Sequence, residues 1–449
     1  MSRWIVAFGI ALAVGLGFGQ SVRAQEPVVV TDTLSEVLFE LYDAVATQNL
    51  FDALDFADLL GRPDLVPANL SANLANDLTT PAILTGAIQS QLSTFPLGSS
   101  AGGFTYTFDA STGAFNRASD SFGPLFAERA LTLGRNRFNA GINYQRATFD
   151  RFEDKDLSNG EVVFFSEILS PLGDTDDVPF LYSQNTLNLE LSTDTVGLFA
   201  TYGVMDNLDV GIAVPIVSVD LSASVVNRLF FFDGDPFLDD LIFQGGGSAT
   251  GIGDITVRGK YKLLDLAGGG LAAAVDLRLP TGDEEELLGV PGTQTEVFLI
   301  MSTAVGRIAP HFNVGYTFSS GEDQIGDESN LIFFTGVKQP DEFNLTGGVD
   351  VAVTSQVTVA ADVLVRTLRG FPDLAEGASE VGPGFPEFVA TTDAEGMVNE
   401  RNLNLSYGSV GVKINPWGTL IFSANVLFPL VENGLQDTVM PMFGGDFSF

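Results

Sequence analysis

The chain has 449 residues, no cysteine, a single histidine (His311) and a formal net charge of -36, from 57 acidic against 21 basic residues. That acidic balance excludes a nucleic-acid binder, which needs a basic footprint. The missing cysteines exclude zinc–thiolate sites and thiol nucleophiles, and one histidine excludes any centre needing two. Hydrophobic residues make up 45% and mean hydropathy is +0.24, yet no long apolar run follows the first 24 residues, so membrane-spanning helices are not expected. The sequence indicates no enzyme, cofactor or metal site: no nucleophile motif surrounds a serine, and no acidic cluster has calcium-loop spacing.

In chain order, Arg3 precedes an apolar run from Trp4 to Phe18 and a small-residue site at Val22, Arg23 and Ala24. This reads as a secretory signal peptide over 1–24, the run being short for a span of about 20 residues. Residues 25–100 form a second unit. Leu34, Val37, Leu38, Leu41 and Val45 recur at helical spacing, and Asp52, Asp55 and Asp58 continue the amphipathic pattern up to Gly61, Arg62 and Pro63. A plug inside a barrel, a periplasmic cap or a partner-binding arm all fit this segment.

From 101 to 449 the period is two. Phe104, Tyr106 and Phe108 alternate with threonines, Phe138, Ala140, Ile142 and Tyr144 with polar residues, and Ile255, Val257 and Tyr261 with Thr256, Arg258, Lys260 and Lys262. Further alternations run over 271–279 and 311–318. Only helices and closed barrels satisfy every backbone group in lipid, so an exported chain with these strands is expected to be all-β, a transmembrane antiparallel barrel. Its partners would be outer-membrane lipid and the barrel-assembly machinery, with no nucleic acid.

Short turns fit at 205–207, 265–269, 307–309, 354–356 and 415–418, and long connections at 226–253, 281–293, 367–401 and 430–439. Acidic clusters at Asp174, Asp176 and Asp177, at Asp233, Asp235, Asp239 and Asp240, at 283–286, and at Glu322, Asp323, Asp327 and Glu328 fall in such intervals, as solvated loops. The strand-like run 331–337 breaks the alternation and is assigned to an extracellular hairpin. The count is then about 14 strands, or about 12 if 104–108 and 129–133 do not cross.

The polar faces then line the lumen: Asp254, Asp276, Glu296, Asp350 and Asp362 with Arg258, Lys260, Lys262, Arg278, Arg366 and Lys413. Two accounts stay open, a ladder of ion pairs bracing the strands and a selectivity constriction. One strand is apolar on both sides, with Val297, Leu299 and Met301 opposite Phe298 and Ile300. The inward pair implies a greasy lumen or contact with a plug.

Four motifs recur along this region: Tyr202, Gly203, Val204 with Asn207, Leu208, Asp209, Val210, Gly211; Gly251, Ile252, Gly253, Asp254, Ile255; Leu279, Pro280, Thr281, Gly282; and Asn415, Pro416, Trp417, Gly418. As a set they resemble the meta-pathway phenol-degradation family of outer-membrane proteins, over about 121–449. Each is also ordinary turn or strand-end chemistry. The resemblance implies transport of aromatic or other hydrophobic compounds. At the C-terminus, Phe443, Phe447 and Phe449 share one face of an extended segment, and the terminal aromatic Phe449 resembles the assembly signal of bacterial outer-membrane barrels. The expected function is passive uptake of small hydrophobic or aromatic solutes through the bacterial outer membrane. A non-transporting structural or interaction barrel with acidic extracellular loops is the alternative.

Overall fold

The computed structural model describes residues 33–59, 79–93, 106–109, 114–117, 119–169, 181–231, 239–266, 268–323, 337–378, 386–390 and 399–449. The signal peptide, the cluster at Asp174, and Asp233 and Asp235 lie outside them, as do Phe104 and residues 331–336, whereas Asp239 and Asp240 are described and exposed.

The two-residue alternation becomes twelve wall strands: β1 (Phe138–Phe149), β2 (Leu181–Met205), β3 (Leu208–Phe231), β4 (Ile255–Leu266), β5 (Gly269–Leu279), β6 (Gln294–Ser302), β7 (Ile308–Ser319), β8 (Asp341–Thr354), β9 (Val357–Pro372), β10 (Glu400–Trp417), β11 (Leu420–Pro429) and β12 (Met440–Ser448). Each pairs antiparallel with the next, and β12 returns to β1, so the ring has no free edge. Beyond the last strand, the amide of Phe138 donates to the carbonyl of Phe449 at 2.8 Å, and the amide of Phe449 donates back to Phe138 at 2.9 Å.

The outward face is apolar almost throughout, with Leu198, Val275, Leu299 and Val363 among its exposed residues. Tyr261 is 46% and Phe312 38% exposed, so neither is locked between two sheets. Such a belt is tolerated only against hydrocarbon, which makes this a membrane-spanning barrel. Tyr202, Trp417, Phe447 and Phe449 ring the short-turn end, as aromatic residues do at a lipid–water boundary. Short turns at one end and long connections at the other match the expected alternation.

β2 and β3 have 25 and 24 residues, although crossing a bilayer takes about 9–11. Their hairpin therefore continues past the wall on the long-loop side. There Val162–Leu169 pairs with β2 and Leu241–Ile252 with β3, which raises the sheet to 14 strands, of which twelve close. Both strand counts thus have a counterpart. The connection expected over 226–253 is half strand, because the β2–β3 ladder supplies an edge for 241–252 to join.

Of the two runs left open, the described part of the first, 106–108, and 129–133 both stand outside the wall. Tyr106–Asp109 pairs only with Ala114–Arg117, as a separate hairpin. Residues 129–133 have no strand partner, and the wall begins at Phe138 rather than at 101. Val337 pairs with Asp323 and Lys338 with Glu322 in a separate two-stranded ladder; the rest of the run assigned to an extracellular hairpin lies outside the described residues.

Two helices precede the wall, α1 (Val37–Leu59) and α2 (Thr79–Ser93). Leu34, Val37, Leu38, Leu41 and Val45 are all buried. They pack with Leu221, Ala223, Val225 and Phe243. On β3 these odd-numbered positions continue the face that carries Asp209 and Gly211 lower down, so α1 covers the inner face of the sheet extension. Gly245 and Gly247 permit the approach, since a Cβ at either would lie 3.4 Å from Leu41 Cγ or 3.1 Å from Leu34 Cδ2. Buried Asn49 fixes the register: its amide donates to Ser183 Oγ at 3.1 Å and its carbonyl accepts from Asn227 at 3.1 Å.

Candidate functional site

Between the β1–β2 hairpin ends and the helices, residues 119–133 cross the lumen as an extended strap. With no strand partner, its backbone depends on wall side chains for hydrogen bonds. Asp362 Oδ2 accepts from the amides of Leu125 and Phe126 at 2.9 and 2.8 Å. Asp209 accepts from Leu133 at 3.0 Å, Ser302 Oγ from Ala130 at 3.0 Å, and Thr358 Oγ1 from Phe122 at 3.1 Å. Lys413 donates to the carbonyl of Pro124 at 2.6 Å and Lys260 to that of Arg129 at 3.2 Å.

A buried charged cluster secures the middle. Arg129 pairs with Asp350 at 3.0 Å, while His311 lies 3.2 Å from Asp350 and 2.6 Å from Asp362. All four side chains are at most 4% exposed. A buried charge is tolerated only when paired, so these groups specify one strap position more than they add stability. Ile300 and Phe298 close the apolar side, clustering with Ala130, Ala272 and Ala274. The greasy inward face of β6 is therefore contact with a segment in the lumen.

Above the strap lies a cavity of about 230 Å³ whose floor includes Phe126 and Glu128. Arg258, Asp276, Arg278, Glu296, Phe298 and Arg366, all expected inside, line it. Arg258 binds Asp276 through two nitrogens, Nε at 2.7 Å, and reaches Glu128 with the third. Its guanidinium carbon sits 5.3 Å above the Phe298 ring. Arg366 grips Glu342 at 2.7 and 3.2 Å, and Asn344 donates to Glu296 at 3.2 Å. Of the remaining expected positions, Asp350, Asp362, Lys260 and Ile300 serve the strap, Asp254 anchors a loop, and Lys262 pairs with Asp265 at the periplasmic rim. Strand bracing accounts for Arg258–Asp276, directly opposite in register, but not for the strap anchors. Sequence reasoning did not single out Glu128, Arg129, Glu342 or Asn344. Only the loss of two-residue alternation over 119–133 hinted at the strap.

Two of the four motifs interlock above the cavity. Asp254 accepts from the amides of Gly282 and Val290, both at 3.0 Å, and Thr281 Oγ1 bridges the carbonyl of Gly253 and the amide of Ile255 at 2.8 and 2.9 Å. This folds loop 281–293 inward, burying Leu287 and Leu288. Gly251 is required beneath it, since a Cβ there would come 2.8 Å from Leu288 Cδ1. Leu287 and Leu288 line a second cavity of about 40 Å³ with Phe149, Val217 and Val219; Arg278 borders both cavities. The first motif holds the strap's exit: Tyr202 donates to Asn136 at 3.0 Å, and Gly203 abuts the carbonyl of Gly134 too closely for any side chain. The last motif is a turn, in which Asn415 donates to the carbonyls of Gly418 and Leu420 at 3.1 and 2.6 Å.

Residues 182–385 match the model of the family described as "Putative MetA-pathway of phenol degradation". The resemblance read from the motifs is borne out. The matched stretch contains the three motifs that hold the strap and the inward loop, and stops before the turn at Asn415. With its lipid-facing ring, the chain is a bacterial outer-membrane barrel. Among solved structures, it is similar to an outer membrane channel from Pseudomonas putida F1, at 13% identity and TM-score 0.44, over 71% of this chain and 98% of that one. A TodX monoaromatic hydrocarbon channel deletion mutant matches at 12% identity and TM-score 0.37, over 79% and 99%. A Pseudomonas aeruginosa FadL homologue matches at 12% and 0.33, over 78% and 94%. No curated protein matches.

The inward loop carries a titration signature. Burial, then the neighbouring acids Glu285 and Asp283, raise the Glu284 carboxyl above its ordinary range, and burial and Asp283 do the same to Glu286. A raised carboxyl pKa penalises the folded loop above that pKa and relieves the penalty as pH falls through it. Protease nicking within 281–293 should therefore slow between neutral pH and about pH 5. The E284Q/E286Q double variant should lose this pH dependence.

Proposed function

We propose that this barrel is a channel for passive uptake of small aromatic solutes across the outer membrane, with no chemical step. The observation that carries this reading is the 230 Å³ cavity enclosed by the ring and floored by the strap. A structural barrel needs no such space, because interiors otherwise close to near-crystalline density. The match of residues 182–385 to a family model described by phenol degradation supports an aromatic solute. On this reading the inward charged and apolar positions, including Asp254, Arg258, Arg278, Glu296, Phe298 and Arg366, line the route. Helices α1 and α2 plug its outer mouth, loop 281–293 narrows it, and the strap closes it toward the periplasm. Phe449, at the seam where the ring closes, is the residue presented to the assembly machinery.

The strap also favours the competing reading, a non-transporting barrel, because it fills the periplasmic half of the lumen. Purified protein in liposomes separates the two. Uptake of a radiolabelled monoaromatic above that of protein-free vesicles is expected. Absence of uptake in a folded, heat-modifiable barrel would leave the structural reading.

A further inference from the structure

One side chain borders both lumenal cavities. Among the described residues Arg278 alone lines the larger, of about 230 Å³, and the smaller, of about 40 Å³. It stands second from the end of β5, where the register of the wall sets it opposite Thr256 on β4 and Gln294 on β6. The same row continues through Ala213 on β3 to Phe199 on β2 on one side, and to Ser319 on β7 on the other. Across these six strands Arg278 is the row's only charge. Resting on the channel reading above, we propose that Arg278 is the specificity-determining gate of the route, its guanidinium setting both the width of the neck between the cavities and the sign of charge that crosses it.

Size carries the first half of the argument. Thr256 and Ala213, which follow Arg278 in the row, are short, so on that side of the neck the arginine and Phe199 are the residues with reach. Arg278 Nη1 donates to Gln294 Oε1 at 3.0 Å, and Gln294, itself buried, donates onward to Ser319 Oγ at 3.3 Å, which aims the guanidinium along the row. A space of about 40 Å³ takes water or a small ion, whereas an apolar cavity of about 150 Å³ is the size that accepts benzene. A larger solute taking this way in reaches the larger cavity only when the arginine swings aside.

Charge carries the second half. Among the described residues lining the smaller cavity, Asp254 and Arg278 are the two that bear charge, and the Asp254 oxygens are fixed by the amides of Gly282 and Val290. With the guanidinium present the two charges cancel. Without it the carboxylate stands alone beside a narrow passage, where a fixed charge sorts ions by sign. Bracing of neighbouring strands is the competing account, and it suits Arg258, which faces Asp276 directly in register. Arg278 faces uncharged residues on both adjoining strands.

The test uses the full protein in nanodiscs, with single cysteines introduced into a chain that has none. Thr201→Cys places a thiol in the larger cavity and Thr195→Cys places one in the smaller, before the neck. Each is reacted with a cationic and an anionic thiosulfonate of equal size. Combined with Arg278→Ala, the thiol in the larger cavity should react with the cationic reagent at least about ten-fold faster than with Arg278 present, and the anionic reagent should gain much less. The thiol before the neck should change by well under that factor, and Arg278→Lys should keep the parent ratio of cationic to anionic rates. If Arg278→Ala fails to give a heat-modifiable barrel, Arg278→Gln removes the charge at similar length and should still shift the ratio toward the cation. Unchanged rates in the larger cavity, equal gains for both reagents, or a lysine variant that shifts the ratio as alanine does would each overturn the proposal. Monoaromatic uptake into liposomes with unchanged labelling removes the gate and leaves the channel; a shifted ratio without uptake removes the channel and leaves the gate.

Discussion

Replacing Asp362 by alanine should release the lumenal strap. Its carboxylate accepts from two strap amides and contacts His311, with almost no solvent exposure. The substitution orphans one buried and one part-buried N–H group and removes one of the two acids that bracket the imidazole. Breaking one partner of a buried charged cluster costs about 3–5 kcal/mol. The wall keeps its complete ladder of backbone bonds, so the barrel itself should remain heat-modifiable on gels. Single-channel conductance in planar bilayers should rise several-fold, and trypsin should reach Arg129, buried in the parent. Unchanged conductance with trypsin access gained would mean that a freed strap still blocks the lumen. Unchanged conductance with no access would remove the anchoring role of Asp362.

Asp254→Ala should act at the other end of the same route. The carboxylate is the shared acceptor for Gly282 and Val290, the two bonds that turn loop 281–293 inward. Leaving a buried donor unmatched costs about 1–3 kcal/mol. Leu287 and Leu288 would retain their apolar burial but lose the backbone bonds that aim them. Cysteine labelling gives a clean readout because the parent has no cysteine. A Leu288→Cys probe should be slow to react with a membrane-impermeant maleimide in the parent background and at least about ten-fold faster with Asp254→Ala, the expected ratio for a loss above 1.4 kcal/mol. Equal rates would show that apolar packing, and not the carboxylate, holds the loop.

These two acids also show how much of the site was legible beforehand. Both were expected among the inward-facing residues. Their partners were not expected: Asp362 serves a backbone 237 residues earlier in the chain, and Asp254 a loop 28 and 36 residues later. Alternation reports the side of a strand on which a group stands, and nothing about what occupies the space it faces.

By itself, the order of residues determined that strands would alternate lipid-facing and inward residues, that short and long connections would segregate, and that the terminal phenylalanines would share one face. Each of these is a local property, because a two-residue period and turn chemistry are written into a few neighbouring positions. The tertiary structure alone decided that twelve of fourteen strands close, that 119–133 is a strap and not a strand, and that several of the inward charges, for which bracing and selectivity had both stayed open, hold a lumenal segment. Those outcomes depend on which distant groups meet once the ring has closed. A chain read residue by residue carries the charges, but only closure brings Arg129 to Asp350 or loop 281–293 to Asp254.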